Sequence, residues 1–172
     1  PLGFDSELGL ALFTALPGAP PVFRGLPGFR ATRDIMRAVL ALQGLPVEAE
    51  PHRPANELAI LQAWADRTAE VFPDLARNLQ DPLLRLSDDM TAAPTLFAVP
   101  CHRDLHEGQI MLDQGCVGLL DFDTLRLGDP ALDVGNLQAH LVLAALRDGS
   151  PRRAFLNAME VAVPQLSVKR IA

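Results

Sequence analysis

Two apolar runs, Ile110 to Asp113 and Cys116 to Leu120, stand either side of Gln114-Gly115, and no other feature of the chain restricts its folding so tightly. Short apolar runs bounded by turn residues read as strands. A two-residue loop with Gly in second place joins antiparallel neighbours, because Gly accepts the positive φ that such a turn needs. The turn also sets the register: Asp113 faces Cys116, Leu112 faces Val117, Ile110 faces Leu119 and Gln109 faces Leu120, with opposed residues about 5 Å apart. Gln109 and Asp121 therefore arrive at one mouth of the hairpin, beside the loop that carries Asp104.

That mouth is acidic. Between Cys101 and Asp133 lie seven acidic residues and two arginines, in a chain of net charge −6. Carboxylates crowd together where they hold a cation, cap helices or face water. The net charge argues against a general nucleic-acid binder, whose affinity comes from phosphate neutralisation. A hydrophobic content of 49% calls for a packed core, yet Gly, Pro or charge breaks every apolar run before the ~18 residues of a membrane span, so no membrane partner is expected. Cys101 and Cys116 lack a metal or redox spacing, which fits a cytoplasmic protein, and Cys101 reads as a small strand-end residue rather than a nucleophile.

Elsewhere the pattern is helical. Residues 32–43 carry Ile35, Met36, Val39, Leu40 and Leu42 behind a cap candidate, Thr32, and stop at Gly44. After the Pro-rich stretch LPVEAEPHRP, Asn56 reads as the cap of a helix reaching Phe72, with Leu58, Ile60, Leu61, Trp64 and Val71 on its buried side. Helical segments over 74–80 and 82–90 follow, and Asp129-Pro130 opens a helix through Arg147, with a last one over 151–163. ELGLALFTAL at 7–16 reads as a buried strand entering a PGAPP turn, and TLFAV at 95–99 as a second buried strand. The expected fold class is mainly α with a small β-hairpin (α+β).

Phosphoryl transfer asks for a carboxylate that takes the acceptor's proton, oxygen ligands for Mg²⁺ and fixed geometry between them. Asp104 supplies a base, Gln109 an amide oxygen and Asp121 a charged ligand from the facing strand. A second reading makes His102, Asp104 and His106 the Zn²⁺ ligands of a hydrolase. It needs further ligands, and His52 and His140 have no motif around them. A third reading is a non-catalytic binding protein. Asp129 reads as a helix cap, Glu107 and Asp113 as solvated turn residues, and Asp123 and His106 stay open between a role at the site and a place in water.

The run HRDLHEGQIML, followed by GLLDFDTLRLGDPALDVGNL, resembles the catalytic half of the aminoglycoside phosphotransferase and choline kinase family. That family's pattern is H-x-D-x-x-x-x-N, an apolar strand pair, I-D-[FWL]-[DEG] and G-D-P-x-x-D. The resemblance implies a protein kinase-like fold, ATP as co-substrate, Mg²⁺ and a small-molecule hydroxyl acceptor. It makes His102 the brace of the loop, Asp104 the base and Asp121 the metal ligand, and it has Asp133 tie the following helix back to the loop. Gln109 stands where the family has Asn, and Arg103 makes the triplet His-Arg-Asp, as in protein kinases. LALFTALPGAPP is similar to the family's interlobe hinge, which puts the backbone of Thr14 and Leu16 against an adenine edge.

The chain then divides into a hinge remnant, 1–20, and a helical C-terminal lobe, 21–172, with the catalytic loop and metal hairpin over 95–133. It begins at Pro1, its first methionine is Met36, and neither a strand lysine paired with a helix glutamate nor a glycine-rich phosphate loop is found in it. The expectation is a C-terminal lobe with the N-terminal lobe absent, inactive alone. The acidic lobe is compatible with a cationic acceptor. With no Tyr and one Trp, an aromatic cage for choline has few candidate residues.

Overall fold

The computed structural model describes residues 2–23, 25–92 and 97–148; the helix expected over 151–163 lies outside them. In chain order the elements are strands β1 (Gly3–Asp5) and β2 (Leu10–Leu12), helices α1 (Gly25–Gln43), α2 (Pro54–Val71) and α3 (Pro73–Ala92), strand β3 (Val99–Cys101), a 3₁₀ turn (Glu107–Gln109), strands β4 (Ile110–Asp113), β5 (Cys116–Leu119) and β6 (Arg126–Gly128), and helix α4 (Leu132–Asp148).

The central hairpin forms in the register its turn dictates: Ile110 pairs with Leu119, Leu112 with Val117 and Asp113 with Cys116. Gln114 and Gly115 both take positive φ, 46° and 87°, the conformation of a primed turn whose twist matches that of the strands it joins. Ala19 extends the sheet on the outer edge of β4, exchanging backbone hydrogen bonds of 3.1 and 2.8 Å with Leu112. Gly18 permits this approach: its φ is +104°, and a Cβ there would lie 2.2 Å from the Leu112 carbonyl oxygen. Gly18→Ala is expected to lower stability by about 2 kcal/mol, seen as a lower urea midpoint with an unchanged m-value.

The core lies between α1, α4 and this hairpin. Ile35, Met36 and Val39 of α1 meet Val134, Leu137 and Leu141 of α4, with Leu105 and Ile110 between them. Their spacing of three and four residues puts each helical set on one face. A second small sheet pairs β3 with β6 antiparallel. The Pro-rich linker lies along the other edge of β6, where Leu127 N–H donates to Glu50 O (2.9 Å) and His52 N–H donates to Leu127 O (2.7 Å).

Several local expectations are corrected. Thr32 is not a cap: α1 starts at Gly25, and the Thr32 hydroxyl bonds back to Gly28 O at 3.0 Å inside the helix. Leu40 is exposed, while the other apolar positions named for that helix are buried. Asn56 is the third residue of α2 rather than its cap, its side-chain oxygen accepting from Arg53 N–H. No residue of α2 or α3 is buried, and Trp64, expected in the core, is 60% exposed. These two helices pack mainly on each other. α3 runs unbroken through Pro82, because the steric bias against helix before proline is a preference rather than a bar.

The segment 7–16 is not a buried strand. β1 and β2 form an exposed hairpin there, with Gly3 opposite Leu12. Among the described residues of the run 95–99 only Val99 is in a strand and Phe97 is exposed, while residues 95 and 96 lie outside the described residues. Among the described residues no helix is long and apolar enough to cross a membrane.

Candidate active site

β3 delivers the chain to a loop, His102 to Leu105, in which Arg103 and Asp104 sit between two fully buried side chains. Leu120 O can only accept, so the His102 Nε2 facing it at 2.6 Å carries the proton. His102 Nδ1 then accepts from Asp104 N–H at 3.4 Å, and the ring lies 4.9 Å from Phe122. Asp133, buried at the start of α4, accepts from His102 N–H (2.9 Å) on one oxygen and from Arg103 N–H (2.8 Å) on the other. Asn136 Nδ2 donates to Arg103 O at 3.0 Å, and the Thr124 hydroxyl donates to His102 O at 2.5 Å. These bonds hold Arg103 at a φ of +71°, a left-handed conformation that costs a non-glycine residue about 1 kcal/mol or more.

Burial pushes the Asp133 carboxyl above its ordinary range, and the two backbone N–H donors with His102 and Arg103 offset only part of that. Asp129 holds the start of the same helix: its carboxylate accepts from Ala131 N–H at 2.8 Å.

The metal candidates lie across the hairpin mouth. The 3₁₀ turn carries Gln109 onto β4, its carbonyl accepts from Leu120 N–H (2.9 Å), and its Nε2 donates to Asp121 Oδ2 at 3.1 Å. Asp121 is exposed, with a φ of +60°. Turning the Gln109 amide over presents its carbonyl oxygen to the same region. A carboxylate and an amide oxygen open to solvent suit Mg²⁺, a hard cation that keeps several waters. Asp123 is exposed on the next turn. Among the described residues no three His, Cys, Asp or Glu side chains are placed to share a metal, so Asp104, Asp121 and Asp123 are not gathered into one cluster. The same holds for His102, Asp104 and His106. Both His102 nitrogens are engaged, while His106 accepts from Gly108 N–H and stacks on His140 with ring centroids 5.0 Å apart.

Thr14 and Leu16 occupy the exposed stretch between β2 and Ala19. Leu16 lies over β5: a Cβ on Gly118 would come within 2.8 Å of its Cδ1. Glu107, expected on a solvated turn, is half-buried, and its Oε2 has no hydrogen-bond partner among the described residues.

Cys101 is buried, its thiol directed at Val99 O and Asp129 O, and burial foremost pushes its pKa up to about 12. Cys116 is exposed. Under native conditions near neutral pH a thiol reagent is expected to label Cys116 and leave Cys101 unmodified until denaturant is added, as read by mass spectrometry.

Three residues that bind the loop, Asn136, Thr124 and Glu57, escaped the sequence reading, as did the bond by which His52 holds Glu57. Asn136 was within reach of that reading, being three positions after Asp133 and so on the same helical face. Thr124, Glu57 and His52 carry no local signal. Glu57 Oε1 meets Arg103 Nη2 at 3.3 Å and His52 Nε2 at 2.6 Å.

A family model described as "Phosphotransferase enzyme family" matches residues 3–165. No curated protein matches. Among solved structures, the macrolide 2'-phosphotransferase MphH from Brachybacterium faecium shares 20% identity at a TM-score of 0.57, over 88% of this chain and 52% of that one. A type I macrolide 2'-phosphotransferase is similar at 24% identity and TM-score 0.47, over 76% of this chain and 44% of that one. A glucosamine kinase is similar at 22% and 0.48, over 83% and 43%. The chain spans about half the length of the structures it matches.

Proposed function

The chain belongs to the phosphotransferase enzyme family, and from that premise we propose that it carries the catalytic lobe of a kinase moving a phosphoryl group from ATP to a hydroxyl of a small molecule. The observation that carries this reading is the Gln109–Asp121 contact at the hairpin mouth, beside a loop whose backbone Asp133 clamps.

In this reading Asp104 orients the acceptor hydroxyl and takes its proton as the new P–O bond forms. His102 braces the loop from beneath by its bond to Leu120 O. Gln109 and Asp121 would hold Mg²⁺, with Asp123 near them. Bound there, the ion would supply positive charge that offsets the negative charge developing on the transferred phosphoryl group. Thr14 and Leu16 would border the adenine, with Leu16 resting on β5. Asp129 and Asp133 support the loop from the start of α4.

A lobe that spans 52% of the macrolide enzyme is proposed to turn over poorly by itself, so the activity belongs to the full-length protein in the cytoplasm. The acidic charge is compatible with acceptors that bear a cation, without selecting among them. The test is Mg²⁺-ATP phosphorylation of a panel of macrolides, aminoglycosides and amino sugars by full-length protein, with products read by mass. A phosphorylated acceptor is expected. Nucleotide binding without transfer to any of them would favour the non-catalytic reading, for which Gln109 in the Asn position is the specific observation. Strong turnover by these 172 residues alone would count against the lobe assignment.

Gln109 is one methylene longer than Asn, and Mg²⁺ tolerates displaced ligands poorly. Gln109→Asn is therefore expected to lower the half-saturating Mg²⁺ concentration a few-fold, with a smaller change for Mn²⁺, as read from initial rates against metal concentration.

A further inference from the structure

Arg103 stands next to the proposed base, yet its guanidinium is engaged by Glu57, in the segment between α1 and β3, and by the backbone at Thr124. Nη2 lies 3.3 Å from Glu57 Oε1, near the start of α2, and Nη1 donates to Thr124 O at 3.3 Å. Its Nε is buried and has no hydrogen-bond partner among the described residues, so these two bonds alone direct the group. Glu57 is itself fixed. His52 Nε2 meets the same carboxylate oxygen at 2.6 Å, and the His52 backbone is bonded to β6. The pair is mostly shielded, with side-chain exposures of 14% for Arg103 and 22% for Glu57. The bond to Asp104 N–H is long at 3.4 Å, so the placement of Asp104 follows that of Arg103, the residue held left-handed before it. A cation released beside a carboxylate would also pair with it and make it a weaker base.

We infer that Glu57 is a positioning residue for the transfer reaction, holding Arg103 and its charge away from Asp104 and tying the α2–α3 hairpin to the base. The inference rests on Asp104 being that base. It gives the hairpin a mechanical link to the site. Leu58, the next residue, lines a groove of about 650 Å³ between α2 and α3, so an occupant of that groove would sit one residue from the contact.

The experiment uses full-length protein, Mg²⁺-ATP and an acceptor that the panel shows to be phosphorylated. Glu57→Gln is expected to lower kcat about tenfold, with acceptor KM and melting temperature near wild type, while Glu57→Asp keeps most of kcat. In an Arg103→Met background, Glu57→Gln is expected to add no further loss, because its effect passes through Arg103. An unchanged kcat in Glu57→Gln, a loss that tracks the melting temperature, or additive losses in the double variant would each overturn the inference. Asp104→Asn, run alongside, separates the two claims. If it is inactive while Glu57→Gln is unimpaired, only the role of Glu57 fails; if it is active, both fail.

Discussion

Asp104→Asn in the full-length protein is expected to lower kcat for acceptor phosphorylation about 10³-fold. The substitution keeps the shape of the side chain and removes its capacity to take a proton. Little stability should go with it. Asp104 is half-buried, outside the core cluster, and its backbone N–H makes only a long bond to His102 Nδ1, so the exchange of its side chain leaves that bond and the clamp on Arg103 in place. Acceptor KM should change less than kcat, since proton removal belongs to the transition state rather than to the bound complex. Initial rates across acceptor concentrations, with a melting curve for each protein, measure this. Activity within tenfold of wild type would remove Asp104 as the base. Asp121→Asn separates base from metal ligand: its deficit should shrink as Mg²⁺ is raised, whereas that of Asp104→Asn should persist.

The hairpin was legible because two local rules agreed: Gln114-Gly115 set a two-residue turn, and that turn left one register for the apolar runs around it. The Gln109–Asp121 contact followed from the same register, twelve residues apart in sequence. Helix boundaries were less legible. The Thr32 hydroxyl serves a helix interior by bonding four residues back as readily as it serves a cap. Pro27 conceals the true start of α1, since a proline in the first turn costs no helical hydrogen bond. Periodicity around Trp64 described an apolar face without saying what covers it, and among the described residues the face is open. Glu57 and Arg103 are 46 residues apart. Nothing in either neighbourhood pairs them, and only the docking of the linker along β6 brings them together. At Asp133 the family pattern suggested a tie to the loop, but not that one carboxylate would serve two consecutive backbone N–H groups.

Asp133→Ala is the substitution expected to cost most stability. It leaves the N–H donors of His102, buried, and Arg103, part-buried, without acceptors at about 1–3 kcal/mol each, so about 4 kcal/mol in all. Asp133→Asn should cost about 2 kcal/mol, because its amide keeps one acceptor and turns an N–H₂ towards the other donor. The two variants differ from wild type in a second way, through pH. Burial raises the folded-state pKa of Asp133 above that of the unfolded chain, so the folded protein takes up this proton first as pH falls. The contribution is therefore fully present below the ordinary carboxylate pKa and is lost as pH rises through the raised folded value. The stability gap between wild type and Asp133→Asn should accordingly widen as pH is lowered from 7 through that window. Urea titrations of both proteins at several pH values read this directly. A gap that narrows with acidification would mean that the N–H donors outweigh burial at Asp133 and hold it below the ordinary range. Since those donors belong to the residues before Asp104, the same variants should lose kcat even where they remain folded.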